Sequence, residues 1–325
     1  MYNSTDIGVV IPTYDRAYDV ERTINVLLKN NNHPGAIYVV DQSHNDKTKK
    51  AIYKIRRKFK NIFFIRSKQP STAIASNTGI ELAKRKFKIV LMLDDDVDCP
   101  SGFFNGLLQE FNENEKVYGC AAWARGAGEE KNPNSIKNRA TKAILNFFLL
   151  PSKTNMKFKV LGPYGNTGSY NPIFKRRIED AEWLSGVNMC YKKEVFEDYK
   201  IPESIGYNLL QDMDASYYVF KKYGKGSLVI TDKTEVIHRG SQVGRYPDYK
   251  RAFVSQEDRF IFYYRFFNDF LGTLKFGWSV FGLVLLKTFN LIFKPNSENF
   301  FKIKYFLESF WYCFKNRQTL NLLYF

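Results

Sequence analysis

The chain has 325 residues, 44% hydrophobic and 25% charged, which is enough apolar material for one large α/β domain or two smaller ones. That balance, with no long low-complexity tract, excludes a disordered chain, a collagen-like fibre and a coiled coil. Forty-nine Lys and Arg against 33 Asp and Glu give a net charge of +16 and a pI near 9.5, so the surface attracts nucleic acid, anionic lipid or phosphorylated substrates.

The opening MYNSTDIGVVIPTYDR has no basic segment followed by a long apolar stretch, so no signal peptide is expected. Ile7 to Ile11 reads as a strand ending at Pro12, and Val20, Ile24, Leu27 and Leu28 then fall on one helix face. Ala36 to Val40 is a second strand ending at Asp41; Ile52, Ile55 and Phe59 mark a second helix. A third strand covers Ile62 to Ile65 and a third helix Ser71 to Ala83. The fourth strand, Lys88 to Leu93, runs into Asp94-Asp95-Asp96, and Phe103 to Phe111 forms an amphipathic helix. Strands alternating with helices in this way predict a mostly parallel sheet with flanking helices. In such sheets ligands bind beyond the carboxyl ends of the strands, where Pro12, Asp41 and the Asp cluster lie.

Residues 124 to 182 read as a loop-rich excursion in which only Ala143 to Leu150 looks helical. Order returns at Val187 to Tyr191, in a helix around Leu210 to Lys222 stopped by Gly224, and in short strands near Leu228 to Ile230 and Glu235 to Ile237, with His238 next. Four cysteines, Cys99, Cys120, Cys190 and Cys313, lie far apart without a CxxC pair, which fits a reducing cytoplasm and neither a zinc knuckle nor a disulfide scaffold.

In LDDDVD, Asp94, Asp95, Asp96 and Asp98 repel one another unless solvent, donors or a cation neutralise them. Hard oxygen ligands suit Mg2+ or Mn2+, and such a cation can bridge the phosphates of a nucleotide diphosphate. The same acids also suit a solvated turn capping the next helix.

The segments VVIPTYDR (9–16), YVVDQS (38–43), NTGIELA (77–83) and VLMLDDDVD (90–98) resemble, in order and spacing, the inverting GT-A-fold glycosyltransferases of family two, over roughly residues 5 to 240. The resemblance implies a GT-A domain, Rossmann-like with a mostly parallel central sheet, for residues 1–245, while the uneven spread of Phe marks off 246–325 as an α-helical, aromatic-rich and membrane-associated region. It also implies a nucleotide-sugar site of Pro12, Thr13, Tyr14, Asp41, Asn77, Asp94 and Asp95, in which Asp41 accepts a hydrogen bond from the base. Asp94 would face the ribose or the metal, and Asp96 would hold a Mn2+ or Mg2+ ion on the pyrophosphate.

The segment WLSGVNMCYKKEVF (183–196) looks like the family's stretch before the acceptor site, which puts Trp183 on the acceptor side. In LLQDMDASYYVFKKYG (209–224), Asp212 matches the family's general base, while Gln211 stands where relatives carry Glu, so its acceptor contact departs from the pattern. Asp214 reads as a structural or secondary contact. The stretch VIHRGS resembles a late element whose His completes the metal site, implying His238 as a ligand and Arg239 and Arg245 as partners of the leaving phosphates. Ser71, Thr72 and Ser76 replace the Gly-rich turn and Arg of many relatives, so only Asn77 carries over there. His33 and His44 have loop-like surroundings and carry no role.

Between Lys47 and Lys68 lie ten Lys or Arg and no acid, a run that suits either a solvated helix face or attachment to anionic headgroups. No nucleic-acid-binding motif is visible, so nucleic acid is not an expected partner. Residues 253 to 325 hold 16 of the 29 Phe. Their apolar run Phe276 to Leu286 is too short to cross a bilayer and, with clusters such as Phe266, Phe267, Phe310 and Trp311, suits helices lying in its interface. A helical cap on the enzyme's own core or on a partner subunit is the alternative.

The expected activity is metal-dependent, inverting transfer of a sugar from a nucleotide diphosphate sugar to a hydroxyl of a glycan or lipid-linked acceptor. The enzyme would work in the cytoplasm, peripheral on the inner face of the cell membrane, in cell-surface polysaccharide synthesis. The rivals are a polyprenyl-phosphate sugar synthase and a catalytically silent membrane scaffold.

Overall fold

A computed structural model of the chain describes residues 1–29, 32–67, 71–126, 136–150, 158–167, 176–203, 210–243 and 248–316. The first half alternates β1 (Ile7–Thr13), α1 (Ala17–Leu27), β2 (Ala36–Asp41), α2 (Lys47–Arg56), β3 (Ile62–Arg66), α3 (Thr72–Lys84) and β4 (Ile89–Leu93). There follow β5 (Val97–Asp98), α4 (Phe103–Glu113), β6 (Gly119–Gly126), α5 (Ile136–Phe147), β7 (Lys159–Gly162), β8 (Gly165–Thr167) and β9 (Asn188–Lys192). The chain continues through α6 (Gln211–Tyr223), β10 (Leu228–His238), α7 (Asp248–Phe266), α8 (Phe270–Phe293) and α9 (Ser297–Lys315).

The main sheet has the order β3-β2-β1-β4-β9-β6-β10-β5. Strands β3, β2, β1 and β4 run parallel, as β6 and β10 do, while β9 is antiparallel to both β4 and β6, and β5 antiparallel to β10. β2, β4 and β9 are buried throughout, which explains their continuous apolar runs without alternation. Helices meet this sheet on matched faces: α1 buries Val20, Thr23, Ile24 and Leu27, and α2 buries Thr48, Ile52 and Ile55 beneath its basic outer face. α3 starts at a Ser71 cap, whose hydroxyl accepts the Ile74 N–H at 3.4 Å.

Two local expectations change. No element is expected over 119–123, and 124–126 fall in the loop-rich excursion, yet all eight residues form β6, whose first six are buried between β9 and β10. The two short strands predicted near residues 228 and 235 are one strand, β10, whose pairing with β6 shifts register between Thr231 and Glu235.

The chain divides into two compact units: Met1–Glu129 with Tyr170–Ile201 and Gln211–Arg245, and Glu130–Ser169 with Pro202–Leu210 and Tyr246–Phe325. The second is helical, with a small β7–β8 hairpin, and its core gathers Phe148, Tyr164, Phe260, Tyr263, Phe276 and Cys313. The helix expected at Ala143 to Leu150 is the end of α5 and belongs to this unit. The eleven-residue apolar run expected there is the middle of α8, a 24-residue helix long and apolar enough to cross a membrane by length and composition. Lys287 interrupts the apolar run but not the helix, which continues through Leu291 and Phe293.

Candidate active site

In the first unit β1 lies between β2 and β4, the point where a doubly wound sheet reverses strand order and opens a crevice at its carboxyl edge. Thr13 pairs with Asp41 across β1 and β2, and Asp94 to Asp96 follow β4. Asp15, at φ 55, takes the left-handed conformation that Asp tolerates and turns the chain from β1 toward α1. Its N–H donates to Ser43 Oγ at 2.8 Å, joining the loops after β1 and β2.

The antiparallel β5–β10 pair sets His238 opposite Val97, and the Arg239 N–H donates to the Asp96 carbonyl at 3.0 Å. His238 Nε2 thereby stands 3.1 Å from Asp96 Oδ1 and 3.9 Å from Asp94 Oδ2. One ligand atom each from Asp94, Asp96 and His238 lies within 4.8 Å of the others, a grouping able to hold a metal ion. Asp96 is buried, and its Oδ1 accepts no hydrogen bond of good geometry. Its Oδ2 accepts the Ser241 N–H at 2.7 Å. Burial opposes ionisation of Asp96, but His238, the Ser241 N–H and Arg16 outweigh it and hold the carboxyl below the usual range. Asp94 keeps 41% exposure on the open side of the cluster; desolvation, with Asp96 and Asp95 against His238, pushes it up to about 7.

Asp95 turns the other way. Thr13 Oγ1 donates to its Oδ2 at 2.6 Å and Arg16 to its Oδ1 at 2.9 Å, and at 4% exposure it ties the ends of β1 and β4 together. Desolvation, opposed chiefly by Arg16, raises its carboxyl to about 6. Thr13 and Asp95, both expected at the nucleotide sugar, thus bind one another. Pro12 is half-buried opposite Val40, and Tyr14 meets His44 edge-on at 6.4 Å.

Asp41 is fully buried. Its Oδ1 accepts from the Ser43 N–H at 3.1 Å and hydroxyl at 2.5 Å, while its Oδ2 pairs with Arg66 at 3.2 Å but accepts no hydrogen bond. Burial raises its carboxyl, with Ser43 and Arg66 opposing. Arg66, assigned to the solvated basic run by sequence, also donates to the carbonyls of Ser43 and Asn45 and so shapes the loop after β2. Its signal was its position: it ends β3 in register with Asp41.

Two residues expected at the donor also have partners within the protein. Asn77 donates to the Ile201 carbonyl at 2.8 Å and accepts the Ile201 N–H at 3.1 Å, so its amide ties α3 to another backbone segment. Arg239 is held by Asp98, Thr23 Oγ1 and the Asp19 carbonyl, which makes it a clamp between α1 and β5. Arg245 lies outside the described residues. Arg16, which sequence reading did not single out, lies 4.0 Å from Asp96 as well as pairing with Asp95, and its Nε donates to the Val243 carbonyl. No spacing rule marks it.

Asp212 sits in the first turn of α6. Its Oδ2 accepts the Gly186 N–H at 3.2 Å and its Oδ1 the Met213 N–H at 2.8 Å. The next residue of that segment, Val187, accepts the Asp94 N–H at 3.1 Å, so one short stretch holds the backbone of the metal-site acid and the carboxylate of Asp212. Buried Ser216 fixes the join: its hydroxyl accepts the Leu184 N–H at 3.0 Å, donates to the Asp212 carbonyl at 2.5 Å and meets Tyr191 Oη at 2.9 Å. Trp183 is buried, and Gln211 Oε1 accepts from Ser76 Oγ at 3.5 Å. Asp214 accepts from Tyr199 Oη at 2.6 Å.

Residues 8–180 match the family described as Glycosyl transferase family 2. By sequence, no curated protein matches the chain. Among solved structures it is similar to S. aureus TarS 1–349, at TM-score 0.55 and 14% identity over 94% of this chain and 79% of that one. It is also similar to the mannosyltransferase PcManGT from Pyrobaculum calidifontis in complex with GDP-Man and Mn2+, at 0.53 and 12% over 96% and 76%. At these identities the likeness is one of fold. With the family matched over 173 of 325 residues and an Asp-Asp-His grouping beyond the end of β4, the chain belongs to glycosyl transferase family 2 and is a glycosyltransferase of the GT-A fold.

Proposed function

We propose that the enzyme moves a sugar from a nucleotide diphosphate sugar to a hydroxyl of a glycan or lipid-linked acceptor, inverting the anomeric carbon, in cell-surface polysaccharide synthesis. The grouping of Asp94, Asp96 and His238 carries this reading. Its residues fit a divalent cation, Mn2+ or Mg2+: a buried carboxylate oxygen without a hydrogen bond, a second carboxylate on the open side, and an imidazole nitrogen. Bound there, the cation supplies charge stabilisation to the leaving diphosphate. The PcManGT complex with GDP-Man and Mn2+, and TarS in complex with UDP-GlcNAc, support the donor class.

The chain's own residues do the rest. Asp41 offers its Oδ2 to the base of the donor, beside Pro12, Thr13 and Tyr14, and Asp95 supports this wall through Thr13. Asp212 takes the proton of the attacking hydroxyl, oriented by the N–H groups of Gly186 and Met213. Trp183 and Gln211 stand on the acceptor side. The C-terminal helices hold the enzyme at the cytoplasmic face of the cell membrane.

A panel of nucleotide sugars tests the proposal through Mn2+-dependent release of the nucleotide diphosphate. One donor class should respond, and Asp96→Ala should abolish the response; no release from any donor sinks the reading. Asp212→Asn should slow transfer to a hydroxyl acceptor by about 10²–10⁴-fold. Full activity in that variant would favour transfer to a lipid phosphate, which needs no base.

A further inference from the structure

Among the described residues, the helical unit leaves an apolar surface uncovered. Along α8 the residues Leu274, Trp278, Phe281, Leu285, Phe289 and Ile292 recur every three or four positions and are 39% to 68% exposed, a single stripe along a helix about 36 Å long. On α9, Leu307, Trp311 and Phe314 are exposed at the same spacing. A stripe of this size on a folded chain marks an interaction surface.

Along its first half, the other side of α8 is packed into protein. Gly272, Phe276, Ser279 and Gly282 are buried; Phe276 stacks on Tyr263 with centroids 4.4 Å apart, and a Cβ on Gly282 would lie 2.2 Å from the Phe148 ring. α7, which supplies Tyr263, also carries buried Glu257 and Asp258 beside Arg259. Threading α8 through a bilayer would require that packing to be broken or carried into the lipid. The helix therefore has the length and composition of a span but the packing of a surface helix.

Charge selects the occupant. Residues 270–316 contain six Lys and two Glu. Glu298 pairs with Lys302 and Glu308 with Lys304, while Lys275, Lys294 and Lys315 have no ion pair among the described residues. We propose that α8 lies in the plane of an anionic membrane surface, its stripe sunk to the acyl boundary and these lysines among the headgroups, without crossing. This deepens the membrane-surface part of the functional reading and rests on it.

The test is sedimentation of the full chain with vesicles of phosphatidylcholine alone or mixed with phosphatidylglycerol. The chain should bind the anionic vesicles and be stripped by alkaline carbonate. The double variant Phe281→Glu/Phe289→Glu should weaken binding by at least about tenfold. Lys294→Gln and Lys315→Gln should each weaken it about fivefold, on anionic vesicles only. All four positions are exposed, and unchanged thermal unfolding controls for folding. Resistance to carbonate would mean that α8 crosses. Binding to neither vesicle would overturn the proposal, as would a lipid-free dimer abolished by the double variant, which would give the stripe to a second copy. Nucleotide diphosphate release should stay at the wild-type rate in every variant. Its absence in wild type with sedimentation intact would sink the transfer reading and leave the surface standing.

Discussion

Asp95 and Asp96 are adjacent and chemically identical, yet Asp95 is taken up by Thr13 and Arg16 while Asp96 keeps an oxygen open beside His238. The acid run was legible in sequence; the division of labour within it was not, because each carboxylate's partners come from other strands and helices. Asn77 makes the same point, since its amide is taken by a backbone 124 residues away. Asn77→Ala should lower stability by about 1–3 kcal/mol, the cost of leaving the Ile201 backbone groups unpaired, with donor KM unchanged; denaturant melts and donor titrations check this. A changed KM would return Asn77 to the nucleotide site. Ser216→Ala disturbs the segment that holds Asp212. It should lower kcat about tenfold, equivalent to about 1.4 kcal/mol, at unchanged donor KM, whereas a purely structural role would leave kcat of the folded fraction intact.

At the scale of elements, β1 to β4 and α1 to α4 followed their pattern because each strand is a short apolar run and each helix has one apolar face, whereas the two-residue β5 carries no such signal. β6 escaped because burial between two strands, not residue preference, makes it a strand. Packing between elements can be probed at Gly79 in α3, where a Cβ would lie 2.2 Å from Val10 Cγ1. Gly79→Ala should destabilise by about 1–3 kcal/mol despite its better helix propensity, read as a lower denaturant midpoint. In α7, burial pushes Glu257 up from 4.5 to about 7. A carboxyl raised in the folded state stabilises fully below 4.5, and that contribution is lost as pH rises through about 7. Wild type should therefore lose on the order of 3 kcal/mol at most between pH 4.5 and 8 through this group. Glu257→Gln should flatten that part of the pH dependence of thermal unfolding.

Over the whole molecule, metal binding should register as stability. Mn2+ at 100-fold above its Kd should add about 2.7 kcal/mol to the folded state, raising Tm in wild type, reversing with chelator and vanishing in Asp96→Ala; an equal rise in that variant would place the ion elsewhere. The sequence by itself determined the class of molecule: alternating βα units, acids at strand ends, and an aromatic, basic C-terminal quarter, all of which depend on local pattern and composition. Tertiary structure decided which of those residues meet. His238 reaches Asp96 only because β5 pairs with β10 across some 140 positions of chain, Arg239 becomes a clamp by the same pairing, and α8 shows one face to solvent because its glycines let Phe148 and Phe267 close over the other. The reason is physical: periodicity records which face a residue presents, whereas the partner that takes its hydrogen bonds is set by strand register and helix packing.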